Sequence, residues 1–316
     1  MGCRFPLLML LYCLMAAAAY PATYYIDSAT GRDTAAGTSP ATAWRTLNRV
    51  NGLVLKPGDT VLLRRGGLWR EKMYADDSGT AALPITIGAY STGPDPILNG
   101  ADLVTNFQSI GGGLHAAALA TAPEQVFING VRGTHQGNLA GLLQPGDWLW
   151  EAGQLTLRAS AAPANVEATV RQYLVDSGQV DYVAIRDIAF EKAIDPLRLF
   201  GASNVTLERL HFSDSVGYAA ILLSAIGGGR GQNNTIRDCQ ITGMMGSSQS
   251  IAHANNGAGI FIWGLSTCRN NRIEGCTISN NGNAGILLID TASNVITGNV
   301  VSGNGSGGVV VSGLDS

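Results

Sequence analysis

The chain has 316 residues, of which 14% are charged, and its 20 Lys and Arg against 23 Asp and Glu give a formal net charge of −3. A hydrophobic content of 46% excludes a disordered chain, and the missing basic excess excludes a protein that binds nucleic acid through its phosphates. The 41 glycines exclude a coiled coil. We expect an elongated all-β protein, because low charge and abundant glycine favour short strands joined by turns.

The first 22 residues have the pattern of a secretory signal peptide. Arg4 precedes an apolar run over residues 5–15, and the alanines that follow predict cleavage near Ala19 or Ala22. The run is shorter than the roughly 20 apolar residues that cross a bilayer, so we expect no membrane span. The predicted location is therefore secreted, periplasmic or at the cell surface.

Short strands and one short helix are predicted before the repeats begin. Residues 24–28 form the first strand of the mature chain, and residues 43–50 have a short helical pattern. A turn and another strand follow over residues 56–63. We expect the helix to cover the open end of a stack of strands, which otherwise exposes unpaired backbone.

The C-terminal part of the chain is repetitive. Equivalent apolar positions lie 22, 29, 37 and 23 residues apart, at Ile185, Leu207, Ile236, Ile273 and Ile296. A second strand of period 2 recurs in each unit, at Leu197, Ile221, Ile260, Ile286 and Val309. Strands this short, separated by Gly, Asn and Ser, predict a parallel β-helix in which each repeat is one coil. We expect one such domain over residues 23–316, with regular coils over about 180–316 and no C-terminal cap.

Stacking of the coils predicts columns of equivalent residues about 4.8 Å apart. Two columns alternate in charge: Arg186, Glu208, Arg237 and Glu274, and beside them Asp187, Arg209 and Asp238. We interpret these as solvent-exposed ion pairs rather than catalytic groups. Asparagines recur just before one strand, at Asn204, Asn233, Asn271 and Asn294, and predict an asparagine ladder. Cys239 and Cys276 fall in one inward column and predict buried free thiols.

The front half of the chain resembles the secreted right-handed parallel β-helix proteins of the pectate-lyase-like superfamily. The resemblance lies in the segments at residues 24–28, 37–40, 43–47, 56–61, 84–87 and 97–100. Residues 148–158 resemble a small β insertion of glycosidase-like members, and we place the insertion at about residues 101–165. The resemblance implies a polysaccharide as partner and a right-handed solenoid with a capping helix. It does not imply a reaction, since this fold serves lyases, hydrolases and adhesins.

The candidate active site lies on the outward face of one sheet, framed by longer turns at residues 226–233 and 243–256. Lys192 and Asp214 share a register there, and His211 and Gln240 stand in one outward column. The predicted catalytic residues are Lys192, His211 and Asp214; the predicted substrate-binding residues are Gln240, His253, Phe261 and Trp263. Phe261 and Trp263 would either stack on sugar rings or be covered by a loop.

Four functions remain open on the sequence alone, and one of them is a structural repeat scaffold whose groove is vestigial. In a lyase, Lys192 or His211 would remove the proton next to a uronate carboxylate. In a hydrolase, Asp214 would act with Glu191 or Asp195, because two carboxylates are needed. In a non-catalytic polysaccharide-binding or adhesion protein, Lys192 and Asp214 would form a surface ion pair.

We therefore predict a secreted, monomeric, carbohydrate-active protein that degrades an acidic polysaccharide, or that binds one without turnover. The one cofactor suggested is calcium, since Asp27 and Asp33 flank a glycine-containing loop, although their spacing is not that of a regular calcium loop.

Overall fold

A computed structural model describes residues 20–225, 229–246, 256–264 and 267–313. Outside these residues lie positions 1–19 of the predicted signal peptide and positions 226–228 and 247–255 of the two long turns, His253 among them. In the described part of the chain, no helix is long and apolar enough to span a membrane.

Three parallel sheets form the faces of a β-helix, which confirms the predicted all-β solenoid. Sheet 1 contains Thr23–Ile26, Thr60–Arg64, Ile85–Tyr90, Val183–Arg186, Thr206–Glu208, Thr235–Arg237, Arg272–Glu274 and Val295–Thr297. Sheet 2 contains Leu68–Trp69, Ile97–Asn99, Ala189–Glu191, His211–Ser213, Gln240–Thr242, Thr277–Ser279 and Val300–Ser302. Sheet 3 contains Met73–Tyr74, Val175–Ser177, Leu197–Phe200, Ala219–Ser224, Ala258–Trp263, Ala284–Ile289 and Gly307–Ser312.

An insertion leaves the stack after Asn99 and returns at Val175, so the strands before and after it pair directly. Its first sheet contains Ala101–Val104, Gln125–Ile128, Val131–Arg132 and Val166–Thr169. Its second contains Gln108–Gly111, Leu114–Ala118, Thr134–His135, Asp147–Glu151 and Gln154–Arg158. The insertion has its own apolar core around Val126 and Trp148. It therefore extends a few residues beyond the predicted position 165.

The predicted N-terminal helix is shorter than expected. One helical turn at Asn48–Asn51 follows a 3₁₀ turn at Pro40–Thr42, and a second 3₁₀ turn lies at Leu139–Gly141 in the insertion. Trp44, which the sequence placed in the helix, instead lies beside the first strand and forms a parallel bridge with Ile26. Its indole stacks on Tyr24 at 5.3 Å, so this end of the core is closed by packing more than by helix.

The predicted registers are confirmed. Ile185 pairs with Leu207, and the same column continues through Ile236, Ile273 and Ile296. The first four side chains belong to one continuous core inside the coils, and the partly buried Ile296 packs against it. Cys239 and Cys276 are buried free thiols, as predicted.

The exposed ion-pair columns are also confirmed. Arg209 donates to both carboxylate oxygens of Asp187, at 2.8 and 3.0 Å, while the Arg209 side chain stays 46% exposed. In the other column, Arg237 lies 3.3 Å from its neighbour Glu208. Both columns lie on the solvent side of sheet 1 and the turn that follows it.

Removing one of these cations should have a small effect. We expect Arg209→Ala to lower the free energy of unfolding by less than about 1 kcal/mol, because solvent screens exposed pairs. Urea unfolding at low and high salt checks this, and the difference from the parent should shrink as salt rises. A loss of unfolding free energy several times larger than this, and unchanged by salt, would show that the ion-pair column stabilises the fold substantially.

The asparagine ladder exists, but two of its four predicted positions, Asn204 and Asn233, lie outside it. Asn234, not Asn233, donates through Nδ2 to Oδ1 of Asn271 at 3.0 Å, and Asn271 donates in the same way to Asn294. Asn233 and Asn204 instead occupy the turn before the strand with φ of 58° and 57°. Asn tolerates this left-handed conformation, which explains why both positions attract asparagine. A second ladder, not predicted, joins Asn281 to Asn304.

Candidate functional site

The insertion docks on the turn between sheets 2 and 3, and this contact forms the candidate site. The Gln125 side chain donates to the Asp214 carbonyl at 2.6 Å. Arg132 donates to the Gly243 carbonyl at 3.3 Å and lies 3.6 Å from the Asp214 carboxylate. Asp214 and Gly243 hold equivalent positions in neighbouring coils, with φ of 53° and 70°. The insertion thus borders one side of the outward face of sheet 2.

Lys192 occupies the same turn one coil earlier, and its partner differs from the predicted one. Its Nζ bonds to Glu167 of the insertion, and its side chain is only 12% exposed. The ammonium also lies 4.9 Å from the centre of the Phe127 ring. The predicted Lys192–Asp214 pair is therefore wrong, and Lys192 holds the insertion onto the stack.

Glu167 accepts the hydrogen bond from Lys192. Arg70 adds a second ion pair at 2.8 Å. Burial alone would raise the pKa of Glu167, but hydrogen bonds from Lys192 and Arg70 outweigh it and lower that pKa. Glu167 is thus a fixed anion, and Lys192 is a paired cation rather than a free base.

Glu191 and Asp214 are the two carboxylates that the site brings together. Glu191 pairs in register with Ser213, so Asp214 follows directly beside it on the next coil. Burial under the insertion raises the pKa of Glu191, and the charges of Asp214 and Glu167 raise it further, while Lys192 lowers it. The Asp214 side chain is 52% exposed and faces Arg132. One carboxyl is held towards its protonated form beside a second, solvent-facing one.

The sequence prediction had named this pair only as one hydrolase alternative. It had no signal for Arg132, Phe127 or Glu167, because the insertion lacks the coil period. Sequence spacing alone cannot show against which coil a residue of the insertion, such as Arg132, will pack. These three residues come to the site only through the docking of the insertion.

His211 and Gln240 occupy neighbouring outward positions of sheet 2, as predicted. Both are exposed, and His211 Nδ1 lies 3.5 Å from the Asp95 carboxylate. The next outward column contains Ser213 and Thr242. The face beside Glu191 is therefore lined by hydrogen-bonding side chains, which suits a polyhydroxylated ligand.

Of the two aromatic residues predicted on sheet 3, Phe261 is covered, and sugar binding by Trp263 stays a prediction. Phe261 is 1% exposed and packs in a separate outer cluster with Leu287 and Ala258. Trp263 stacks on Phe261 with ring centres 5.7 Å apart and is partly buried. The prediction that Phe261 stacks on a sugar ring is therefore wrong. Its ring is covered, which was the alternative given for it. His253 falls outside the described residues.

Asp195, the other predicted carboxylate, has a structural environment. It is 2% exposed, and its Oδ1 accepts hydrogen bonds from the backbone of Tyr218 at 2.6 Å and Ala219 at 3.4 Å. Burial raises the pKa of Asp195 from 3.8 to about 7, despite these bonds and the nearby Arg198. The side chain fixes the turn of the next coil.

This burial makes stability depend on pH. Since the pKa of Asp195 is raised in the folded state, its contribution to the free energy of unfolding is complete below pH 3.8. That contribution is lost as pH rises towards about 7. Asp195→Asn keeps the acceptor but carries no charge, so we expect a higher melting temperature than the parent at pH 8. The gain should shrink towards pH 4, measured by thermal unfolding across pH. A variant that is less stable than the parent at pH 8 would contradict this.

The two carboxylates suggested for calcium are occupied by protein donors. Asp27 accepts from the backbone of Ala29 and Thr30 and from Arg64 at 2.7 Å. Asp33 accepts from the backbone of Arg45 and Thr46. Within the described ranges, no group of three His, Cys, Asp or Glu residues is placed to hold a metal. Calcium binding at Asp27 and Asp33 stays a prediction.

Comparison with known proteins agrees with this architecture. A family model described as a right-handed β-helix region matches residues 172–316. The structure of XylC in complex with xylose superposes with a TM-score of 0.62 over 92% of this chain, at 14% identity. This protein is a right-handed parallel β-helix. The predicted parallel β-helix solenoid is thereby confirmed.

Two further matches to this β-helix protein are lacto-N-biosidases. That of Bifidobacterium longum subsp. longum is 44% identical over 72 residues, which is 22% of this chain and 4% of the relative. The GH136 enzyme of Eubacterium ramulus superposes with a TM-score of 0.52 over 87% of this chain, at 16% identity. The chain spans 64% of the XylC chain and 44% of the Eubacterium enzyme, so it matches less than two thirds of each.

Proposed function

We propose that this β-helix protein is a secreted glycoside hydrolase whose active site is the Glu191–Asp214 pair. The observation that supports the proposal is the pairing of a half-buried carboxyl with a raised pKa and an exposed carboxylate on adjacent coils. Two carboxylates in unlike environments are what glycoside hydrolysis uses.

The roles follow from the two environments. Glu191, held towards its protonated form, donates a proton to the glycosidic oxygen as the bond breaks. The Asp214 carboxylate lies beside Arg132 and either attacks the sugar or activates a water. The Arg132 guanidinium orients the Asp214 carboxylate, and the insertion shields Glu191 from solvent. His211 and Gln240 offer hydrogen bonds to neighbouring sugar hydroxyls.

Hydrolysis suits this site better than β-elimination. An eliminating base must be free to take a proton, whereas Lys192 is paired with Glu167 and nearly buried. Elimination also needs surplus positive charge to neutralise the substrate carboxylate. The cations Arg70, Lys192 and Arg132 all have acidic partners in the protein.

The relatives support a carbohydrate substrate. Two are named for lacto-N-biosidase activity, and a third was solved with xylose. The signal-peptide pattern favours export from the cytoplasm to the periplasm, the cell surface or the medium. A monomeric state stays a prediction. Adhesion without turnover is the competing function.

The test is a panel of neutral and acidic glycans, together with aryl glycosides of the common sugars. We expect new reducing ends, or released aryl alcohol, without the ultraviolet absorbance of an unsaturated uronate. Unsaturated product would replace hydrolysis by elimination. Binding without product would favour an adhesin.

A further inference from the structure

A cavity of about 170 Å³ lies next to the proposed catalytic pair, between the insertion and the turn joining sheets 2 and 3. Its lining includes Glu124, Gln125, Arg132, His135, Trp148 and Met245. Arg132 connects it to the active site, since the same guanidinium lies 3.6 Å from Asp214. The volume is several times the roughly 30 Å³ that one water occupies in the liquid.

Two buried polar atoms on lining residues lack a partner among the described residues: Gln125 Oε1 and Trp148 Nε1. The two side chains are 4% and 1% exposed. The Gln125 amide is fixed in orientation, because its Nε2 donates to the Asp214 carbonyl at 2.6 Å. Buried groups of this kind are rare, and here one acceptor and one donor lie at one cavity. A hydroxyl group can serve both.

The remaining lining suits a sugar ring without charge. The His135 ring packs on Trp148 at 4.5 Å, which gives the cavity an aromatic side. Burial lowers the pKa of His135, so the imidazole is neutral near pH 7. Arg132 is balanced by Asp214, and Glu124 is acidic. Without surplus positive charge, a uronate would be repelled.

We propose that this cavity binds one neutral, hydroxyl-bearing sugar unit of the substrate, with Gln125 Oε1 and Trp148 Nε1 bonded to its hydroxyls. The inference rests on the proposed glycosidase function and replaces the predicted acidic substrate by a neutral one. Both atoms lie beneath the cavity surface, so binding moves a lining side chain, and the His135 ring stacked on Trp148 is the nearest candidate. The bound unit would place its glycosidic bond beside Asp214.

The test follows the indole N–H signals of the ¹⁵N-labelled protein during titration with D-xylose, D-galactose and D-galacturonate. The last two sugars differ at one carbon, where a hydroxymethyl group is replaced by a carboxylate. The Trp148 signal is assigned by its loss in Trp148→Phe. Trp150→Phe is the matched control, because its Nε1 already donates to the Leu119 carbonyl at 2.8 Å in the same hairpin.

We expect the Trp148 signal to move in a saturable way with a neutral sugar and the Trp150 signal to stay. Trp148→Phe should weaken that binding about tenfold, the effect of one good hydrogen bond, while Trp150→Phe should leave it unchanged. A Trp148 signal that moves with neither neutral sugar would overturn the proposal and indicate that the cavity holds only water. An equal response to galacturonate would overturn the preference for a neutral unit. Sugar binding in a protein that turns over no glycan would separate this cavity from the proposed hydrolysis.

Discussion

Glu191→Gln should lower kcat on the aryl glycoside that the protein hydrolyses fastest by about 10²–10⁴-fold, because the variant cannot donate the proton that the leaving group needs. The parent should also lose activity as pH rises through the raised pKa of Glu191, whereas the residual activity of the variant should lack this limb. Steady-state rates across pH measure both effects.

The fold of the variant should survive. Glu191 is a half-buried carboxyl crowded by Asp214 and Glu167, so a neutral amide should leave the melting temperature unchanged or raise it. Glu274→Gln is the matched control: this glutamate belongs to the exposed column on sheet 1 and is 30% exposed. Equal activity in Glu191→Gln and the parent would remove Glu191 from the reaction.

Asn271→Ala should lower the free energy of unfolding by at least about 3 kcal/mol, because it leaves several buried polar groups unpaired. Asn271 is 1% exposed, and its Oδ1 accepts from both the backbone and the side chain of Asn234. Its Nδ2 donates to the Gly231 carbonyl at 2.8 Å and to Asn294 at 3.0 Å. Alanine removes all four of these side-chain bonds between three coils.

Urea unfolding of Asn271→Ala and Asn233→Gly measures this effect against a matched change. Asn233 is exposed, and glycine accepts its φ of 58° without strain, so the control should cost less than about 1 kcal/mol. Similar midpoints for the two variants would show that the ladder does not stabilise the stack.

The comparison of Asn233 with Asn234 shows how far sequence periodicity reaches. The repeat correctly predicted a ladder at this point of the coil, but two adjacent asparagines compete for it. Whether a side chain points into the coil or out at the turn depends on backbone torsion, and a difference of one residue decides it. The same limit applies to Phe261, whose outward direction was predicted but whose cover depends on what packs over it.

The sequence by itself determined the solenoid, its registers and its exposed columns. In a β-helix each residue contacts its equivalent one coil away, so contacts repeat at the coil period and can be read from spacing. It also supplied Asp214, His211 and Gln240 on one face. Only the tertiary structure decided how these residues are used, through an insertion without that period. Lys192 finds Glu167 at 25 residues' separation and Arg132 finds Gly243 at 111, and no local pattern encodes either contact. That docking buries Glu191, pairs Lys192 and encloses the cavity at Trp148, because burial depends on which surfaces meet.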